Sequence, residues 1–382
     1  MRYVTAGESH GPALVAIVSD VPTGVALDSA ALDADLARRQ GGYGRGGRMR
    51  IEKDTATVLG GVRFGRTLGS PVALMIVNRD HENWAETMSV WGSAAVETPV
   101  TAPRPGHADL AGVQRTGATD VRDILERASA RETAARVAAG AIARALLLEL
   151  GVTVRSWVES IGDVGTGPLQ PGDVETGAVE GSDVRCPDEA AGARMRAAID
   201  AARVEGESLG GTFAVCVEGA VPGLGGYAQA DQRLDARLAA AVISVPAIKG
   251  VEFGDGFAAA RRLGSEVHDA IVRGGEGGLG RSTNRAGGLE GGMTNGEPVI
   301  VRAAMKPIPT LMRPLATVDL ATGGAADAAR ERSDVCAVPA AAVVAEAEVA
   351  LVIATAYQEL FGGACLTDIQ RALAAYRERI SL

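Results

Sequence analysis

The feature that most constrains the fold of this chain is an internal repeat. Residues 7–37 read GESHGPALVAIVSDVPTGVALDSAALDADLA, and residues 206–239 read GESLGGTFAVCVEGAVPGLGGYAQADQRLDARLA. Both copies contain a Gly-Glu-Ser-x-Gly turn, an apolar strand, a Val-Pro turn and a helix with the pattern Leu-Asp-Ala-x-Leu-Ala. Self-similarity of this kind is typical of a structural unit that a chain uses more than once. The sequence therefore predicts two related half-units packed into a single domain over residues 1–382.

The order of strand-like and helix-like segments predicts the fold class. Strand-like runs are 13–20, 50–59, 71–77, 212–219 and 298–305, and helix-like runs are 29–39, 131–150, 190–204, 231–243 and 340–358. The clearest helix start is Ser129 with Glu132, the pattern of a capping box. Strands cluster before and after helices instead of alternating with them, which favours an α+β fold with antiparallel sheets over a doubly wound parallel sheet. Residues 160–190, rich in Gly, Pro and Asp, predict a surface excursion.

Charge and composition exclude several classes of protein. The net charge of −9 argues against a general binder of nucleic acid or of a membrane surface. The longest apolar run, 339–356, carries Glu346 and Glu348, so no membrane span is predicted. The four cysteines form no C-x-x-C pair, which indicates reduced thiols without a disulfide framework or a zinc or other metal site. The N-terminal residues lack the apolar region of a secretory signal, and we expect a cytoplasmic protein.

The repeat also indicates whether one histidine is required for the fold or for chemistry. The second copy has Leu209 where the first copy has His10. The same turn, strand and helix are thus predicted to form without an imidazole, so the local fold does not require one. We therefore expect His10 to serve catalysis, and His10→Leu to leave stability nearly unchanged.

A second candidate site lies in the stretch RRQGGYGRGGRMR, residues 38–50, which places five arginines among glycines. Only three of the 38 basic residues are lysines, so arginine is common throughout the chain, and a solvated loop is one interpretation. The other is a loop that presents guanidinium groups to phosphate or carboxylate. The G-x-G-x-x-G matches at 42–47 and 275–280 lack a preceding strand and a following helix, so a Rossmann dinucleotide site is not predicted.

The stretch RPGHADLAG, residues 104–112, places His107 in a turn beside Arg104 and Asp109. An imidazole with a cationic neighbour is suited to giving up a proton or to meeting an anion. The other two histidines, His81 and His268, lie in polar segments, and we expect both at the surface.

Two segments near the C-terminus complete the set of candidate sites. Residues 287–310 have the glycines and amides of a backbone cradle, followed by a strand that ends near Lys306. Arg332 and Asp334 precede a helix that begins near Pro339, where anions are stabilised by the helix N-terminus. From its position alone, Asp334 is interpreted as a turn or capping residue.

Taken together, these blocks resemble the chorismate synthase family. They occur in the family's order over most of the chain, although the segment 160–190 matches nothing in the family, and Ala128 stands where many relatives have a second serine. The matching blocks are GESHG (7–11), RRQGGYGRGGRM (38–49), RPGHAD (104–109), RASARETAARVAAGAIA (127–143), PAIKGVEFGDGF (246–257), STNRAGGLEGGMTNG (282–296), MKPIPT (305–310) and RSDVCAVPA (332–340).

The resemblance implies an activity, a cofactor and an assembly. The reaction would be the 1,4-anti elimination of phosphate from 5-enolpyruvylshikimate-3-phosphate to give chorismate, in the shikimate pathway of aromatic amino-acid biosynthesis. It would require reduced FMN without net redox change. The resemblance also implies a homotetramer whose antiparallel sheets and helices form a layered sandwich.

Individual roles follow from the same resemblance. His10 would lie near the flavin and keep the reduced ring suitably protonated, and His107 would face the substrate phosphate and assist its departure. Asp334 would draw a proton from flavin N5, so that N5 can take the ring proton of the substrate. The anionic groups of the substrate would be held by Arg39, Arg45 and Arg48. The FMN contacts would come from Arg127, Ala128, Ser129, Pro246, Ala247, Gly291, Lys306, Pro307, Ile308, Pro309, Thr310 and Arg332.

Two other functions remain open at this stage. A flavin-dependent oxidoreductase would share FMN binding but would consume reductant in proportion to product. A protein that only binds anions or RNA would use the arginine loop and leave His107 and Asp334 idle. The sequence also leaves open whether NADPH reduces the flavin on this protein, and the absence of a Rossmann motif favours an external flavin reductase.

Overall fold

The computed structural model describes residues 1–47, 51–92, 99–273, 278–329 and 333–381. The strands are β1 (Arg2–Ala6), β2 (Ala13–Ser19), β3 (Thr57–Gly60), β4 (Val62–Arg63), β5 (Arg66–Thr67), β6 (Val72–Val77), β7 (Thr153–Ile161), β8 (Val164–Gly165), β9 (Gly211–Glu218), β10 (Ile248–Phe253), β11 (Ile271–Arg273), β12 (Leu279–Arg281), β13 (Leu289–Glu290), β14 (Met293–Thr294), β15 (Val299–Met305), β16 (Ala316–Val318) and β17 (Ala325–Asp327). The α-helices are α1 (Ser29–Gln40), α2 (Asp109–Thr116), α3 (Arg122–Ala128), α4 (Thr133–Glu149), α5 (Thr176–Glu180), α6 (Glu189–Glu205), α7 (Leu234–Ile243), α8 (Gly256–Ala259), α9 (Gly264–Val267), α10 (Val338–Phe361) and α11 (Leu366–Ile380).

Two sheets organise the molecule, and the prediction of mixed helices and antiparallel sheets is confirmed. The first sheet has the order β1-β2-β6-β3, and the second has the order β10-β15-β9-β7-β8. The pairings within both sheets are antiparallel. The first copy of the repeat supplies β2 and α1, and the second supplies β9 and α7. Strands β1, β2, β6 and β3 thus occupy the places that β7, β9, β15 and β10 occupy in the second sheet.

A pair of long helices joins the two sheets. Helix α4 packs on β2 and β6, α10 packs on β7 and β9, and the two helices pack against each other. Gly140 of α4 lies directly against Ala347 of α10, where a Cβ would collide with the neighbouring backbone. The main core therefore contains residues from both sheets and both helices.

Helix α10 is also long and apolar enough to cross a membrane, judged by length and composition. Its most apolar 18-residue window has a mean hydropathy of 1.8, but 89% of that window is buried inside the protein. Its apolar composition matches its place in the core.

Two of the predicted boundaries are wrong for identifiable reasons. The strand expected over 50–59 begins only at Thr57, and residue 50 lies outside the described residues. Glu52 and Asp54 are buried and engage the buried guanidinium of Arg131, so they do not extend the strand. The helix expected to start at Ser129 is preceded by a 3₁₀ turn that Ser129 caps, and the α-helix begins at Thr133.

The segment 160–190 is more than an exposed excursion. Val174 and Val179 of this segment pack on Trp157, Ala214 and Cys216, which form a second, smaller cluster on the sheet that contains β7 and β9. The segment thus covers part of the sheet and buries apolar area there, which stabilises the fold.

Candidate active site

A cavity of about 370 Å³ brings most of the predicted site residues together. Its wall is formed by the turn after β1, the junction of α3 and α4, the loop before α2, the segment after β15 and the residues before α10. The predicted residues that line it are His10, Arg39, Arg45, His107, Ala128, Ser129, Pro246, Ala247, Lys306, Ile308, Pro309, Thr310 and Asp334. A cavity of this size is in the range of small-molecule and cofactor sites.

Some predicted residues lie elsewhere. Arg127 is turned toward the end of β1, where its guanidinium donates to the backbone oxygens of Gly7 at 2.9 Å and of Thr5 at 3.0 Å. Gly291 lies in the hairpin of β13 and β14, and Pro307 is likewise absent from the described lining of this cavity. Arg48 and Arg332 lie outside the described residues.

The described lining of the cavity is strongly cationic. It includes five basic side chains against the single carboxylate of Asp334, and the five are Arg39, Arg45, Arg104, Arg131 and Lys306. Arg39 is buried and donates to Thr133 Oγ1 and to the Ala130 oxygen, both at 2.9 Å. Burial, followed by the neighbouring charge of Arg131, lowers the pKa of Arg39 to about 9 in spite of nearby carboxylates. This excess of positive charge is suited to an anionic ligand.

Asp334 fixes the arginine loop instead of capping a helix. Its Oδ1 accepts a hydrogen bond from the Gly46 amide at 2.6 Å, and its Oδ2 lies 3.2 Å from Nη1 of Arg45. A Cβ at Gly46 would lie only 2.9 Å from the Ser333 oxygen, so the loop needs glycine there. Helix α10 begins at Val338 with Ala337 at its N-cap and no side-chain cap. The expected helix start is confirmed, but the capping interpretation of Asp334 is wrong.

His10 is buried and held from several sides. Its Nδ1 lies 2.9 and 3.1 Å from the carboxylate oxygens of Glu126, and its backbone amide donates to Glu126 Oε2 at 2.8 Å. The ring stacks on Trp84 with 4.1 Å between centroids. Burial alone would raise the pKa of Glu126, but its hydrogen bonds with His10 outweigh burial and hold that pKa below the ordinary value. The carboxylate is therefore ionised behind the imidazole.

His107 also has an ionised carboxylate behind it. Its Nδ1 makes a short hydrogen bond with Asp109 Oδ1, and Asp109 Oδ2 accepts from Arg104 Nε at 2.9 Å. Arg104 reaches onward to Thr310 Oγ1 at 3.1 Å. Asp109 is buried, which would raise its pKa, but the hydrogen bonds from His107 and Arg104 hold that pKa well below the ordinary value. An imidazole whose Nδ1 faces an ionised carboxylate is oriented for proton transfer at Nε2.

Lys306 links two walls of the cavity. Its Nζ donates to the Gly106 oxygen at 2.7 Å, beside His107. Partial burial, followed by the charge of Lys249, lowers the pKa of Lys306. The lysine therefore fixes the His107 turn against the segment after β15.

Sequence reasoning missed several residues of this site. Glu126, Trp84 and Arg131 were not singled out, because a seven-residue helix and isolated polar positions carry no periodic signal. The surface prediction for His81 is wrong, since it is half-buried and its Nδ1 donates to the His10 oxygen at 2.9 Å. His268 is exposed, as predicted.

The cavity combines two oriented imidazoles with an excess of guanidinium groups, an arrangement typical of an enzyme and suited to a small anionic molecule. The chain belongs to the chorismate synthase family, because the sequence model of that family matches residues 1–358. It is therefore a lyase of that family.

Individual relatives cover the whole chain. A chorismate synthase of Rubrobacter xylanophilus is 59% identical over 380 residues, which is 100% of this chain and 97% of that protein. One of Desulforudis audaxviator is 56% identical over 382 residues, covering 100% of this chain and 98% of the relative. A crystal structure of a chorismate synthase superposes with a TM-score of 0.80 at 39% identity, covering 100% of this chain and 98% of that one.

Proposed function

We propose that this chain converts 5-enolpyruvylshikimate-3-phosphate to chorismate and phosphate by 1,4-anti elimination, with reduced FMN and without net redox change. Membership of the chorismate synthase family supports this reaction. The observation that carries the proposal to this chain's own residues is the cavity in which five basic side chains and two carboxylate-backed histidines meet.

The charge of the substrate matches that of the cavity. The substrate carries one phosphate and two carboxylates, and guanidinium groups bind both kinds of anion through paired hydrogen bonds. Arg39 and Arg45 line the cavity, which supports assigning them to substrate binding, and Arg104 and Arg131 add two more guanidinium groups. A site of this charge also attracts the anion electrostatically, although the whole chain is acidic.

The residues of the cavity also fit FMN. The volume of about 370 Å³ and the main-chain groups at 128–129, 246–247 and 306–310 offer a cradle, and Lys306 offers a cation. When bound, reduced FMN would supply electron density to the substrate and take up the ring proton that the elimination releases. We assign the FMN contacts to the residues that the family resemblance implies; for Arg127, Gly291 and Arg332 the assignment rests on the resemblance alone, whereas the residues at 128–129, 246–247, 306 and 308–310 also line the cavity.

In this proposal, three side chains hold or transfer protons. His107, held by Asp109, presents Nε2 to the leaving phosphate and stabilises its developing charge. His10, held by Glu126, keeps a proton beside the cofactor. Asp334 would accept at its carboxylate the proton given up by the bound cofactor, and the same carboxylate holds the Gly46 amide and lies 3.2 Å from Nη1 of Arg45.

The proposal also covers the oligomeric state of the protein and the source of reducing equivalents for the flavin. We propose a cytoplasmic homotetramer, with each protomer a layered sandwich in which α4 and α10 lie between the two sheets. NADPH or an external flavin reductase would supply the reducing equivalents. The partners would be a small anionic substrate and the flavin, with no nucleic acid and no membrane.

The decisive experiment is anaerobic incubation of the protein with substrate and photoreduced FMN. We expect chorismate and phosphate to appear in equal amounts while the flavin remains reduced and acts catalytically. Oxidised FMN alone should give no product. Consumption of reductant in proportion to product would instead identify an oxidoreductase.

A further inference from the structure

A carboxylate from a different element lies 2.9 Å from Nδ1 of the His10 ring. Glu126 lies on α3, its side chain is 2% exposed, and both of its oxygens face His10. Oε2 also accepts the His10 amide, and Oε1 lies 3.3 Å from Nη1 of Arg122. One side chain thus holds the backbone and the ring of His10 at the same time.

This contact determines where the imidazole carries its proton. An ionised carboxylate can only accept hydrogen bonds, so Nδ1 must be the donor. The low pKa of Glu126 agrees with an ionised state. With Nδ1–H engaged, proton exchange with the cavity is confined to Nε2.

Two further contacts restrain the ring and the main chain of His10. Trp84 stacks on the imidazole, and the guanidinium of Arg122 lies 5.0 Å from the Trp84 ring centroid. His81 donates to the His10 oxygen and fixes the main chain. Side chains locked by packing and by such neighbours hold reactive groups in position.

The second copy of the repeat shows that the turn itself does not need this carboxylate. The amide of Leu209, which corresponds to His10, donates to the Val335 backbone oxygen at 2.8 Å. A neutral acceptor is therefore enough for the backbone amide of this turn. In the first copy, the charge of Glu126 acts on the imidazole.

We propose that Glu126 is a positioning residue that fixes the proton of His10 on Nδ1 and reserves Nε2 for exchange with the cavity. This inference rests on the proposed function only for the role of His10 in catalysis. The arrangement of the proton is a property of the protein without substrate or cofactor. In the serine protease triad, an amide in place of the orienting carboxylate selects the wrong histidine tautomer.

The test is ¹⁵N NMR of histidine-labelled protein without flavin or substrate, with the His10 signals assigned by their absence in His10→Leu. In the wild type we expect Nδ1 to be protonated throughout the range from about pH 6 to pH 9. In Glu126→Gln, whose amide can donate to Nδ1, we expect a large population with the proton on Nε2 instead. Exposed His268 serves as the internal reference, and Glu180→Gln, which alters a carboxylate paired with Arg38 and Arg185, is the matched control.

Steady-state kinetics adds a second readout. We expect Glu126→Gln to lower kcat by about 10-fold, and by no more than His10→Leu does, with KM changed by less than about threefold, because Glu126 acts only through His10. Glu126→Asp keeps the charge and should recover part of kcat. An unchanged Nδ1 proton in Glu126→Gln would overturn the inference, and so would a wild-type protein with Nε2–H alone, even if the variant fails to fold. Absence of chorismate formation with a normal NMR result would refute the proposed function alone.

Discussion

The two copies of the Gly-Glu-Ser-x-Gly turn have similar sequences but make different contacts. In the first copy, Ser9 and His10 line the cavity. In the second copy, Ser208 Oγ donates to the Ile308 oxygen at 2.7 Å and Leu209 packs against the core. The first turn lines the cavity, and the second holds the segment after β15 in place.

The difference indicates that the repeat specifies a scaffold, on which single side chains make different contacts. Both turns begin at a glycine with positive φ, at Gly7 and Gly206, where other residues are strained. What differs is the side chain at the fourth position and the group that its amide meets. Each prediction below changes one side of this comparison.

The largest effect is expected at Asp334. This residue lies beside the second turn, but its side chain lines the cavity. Val335 next to it accepts the Leu209 amide, whereas the Asp334 side chain reaches Gly46 and Arg45. Asp334→Asn keeps an acceptor for the Gly46 amide but cannot take up a proton as a base. We expect turnover to fall by about 100-fold or more. Stability should change by no more than about 1 kcal/mol.

Single-turnover kinetics with reduced FMN tests this, together with flavin binding by fluorescence and a thermal melt. A variant with near wild-type turnover would refute the assignment of Asp334 as a base. A collapse of stability would show that the carboxylate serves mainly to hold the loop at Gly46.

The second prediction makes the first turn resemble the second. His10→Leu should lower turnover by about 10-fold or more, because a positioned acid–base group is lost. The sequence alone predicts no change in stability, but the structure revises this, since the substitution leaves buried Glu126 without its Nδ1 partner. We expect a loss of about 1–3 kcal/mol in the free energy of unfolding. Urea unfolding at neutral pH measures it, and full activity in this variant would make His10 a purely structural residue.

The contacts of His10 show which parts of the site the sequence alone could not predict. Two long helices are predicted well: the expected runs 340–358 and 190–204 are observed as Val338–Phe361 and Glu189–Glu205. Their patterns depend on local spacing. The partners of His10 lie 116 residues away on α3 and at Trp84, and no local pattern connects them. Long-range contacts of single polar side chains are fixed by tertiary packing, so they could not be predicted.

The third prediction makes the second turn resemble the first. Leu209→His places an imidazole where the amide meets a backbone carbonyl and the side chain packs on the core. We expect a loss of about 1–2 kcal/mol from reduced apolar burial. Turnover should stay close to that of the wild type, because this turn contributes no group to the chemistry. Paired thermal melts and steady-state assays test this, and a loss of turnover as large as that of His10→Leu would show that the two turns are not functionally distinct.

The smallest effect is expected in the pH dependence of stability. The pKa of Glu126 in the folded protein lies below its ordinary value of 4.5, with the hydrogen bonds from His10 overcoming burial. A depressed carboxyl pKa contributes stability that is complete above the unfolded-state pKa and is lost as the pH falls through the folded-state value.

Replacing His10 by Leu removes the main cause of that depression, whereas the low pKa of Asp109 is retained in both proteins. The free energy of unfolding should therefore fall less steeply on acidification below about pH 5 in His10→Leu than in the wild type. Urea titrations at half-unit intervals of pH compare the two slopes, with Leu209→Val, which adds no titratable group, as the control that should run parallel to the wild type. Parallel curves for wild type and His10→Leu would mean that the imidazole does not stabilise the Glu126 carboxylate, and the contrast between the two turns would then rest on packing alone.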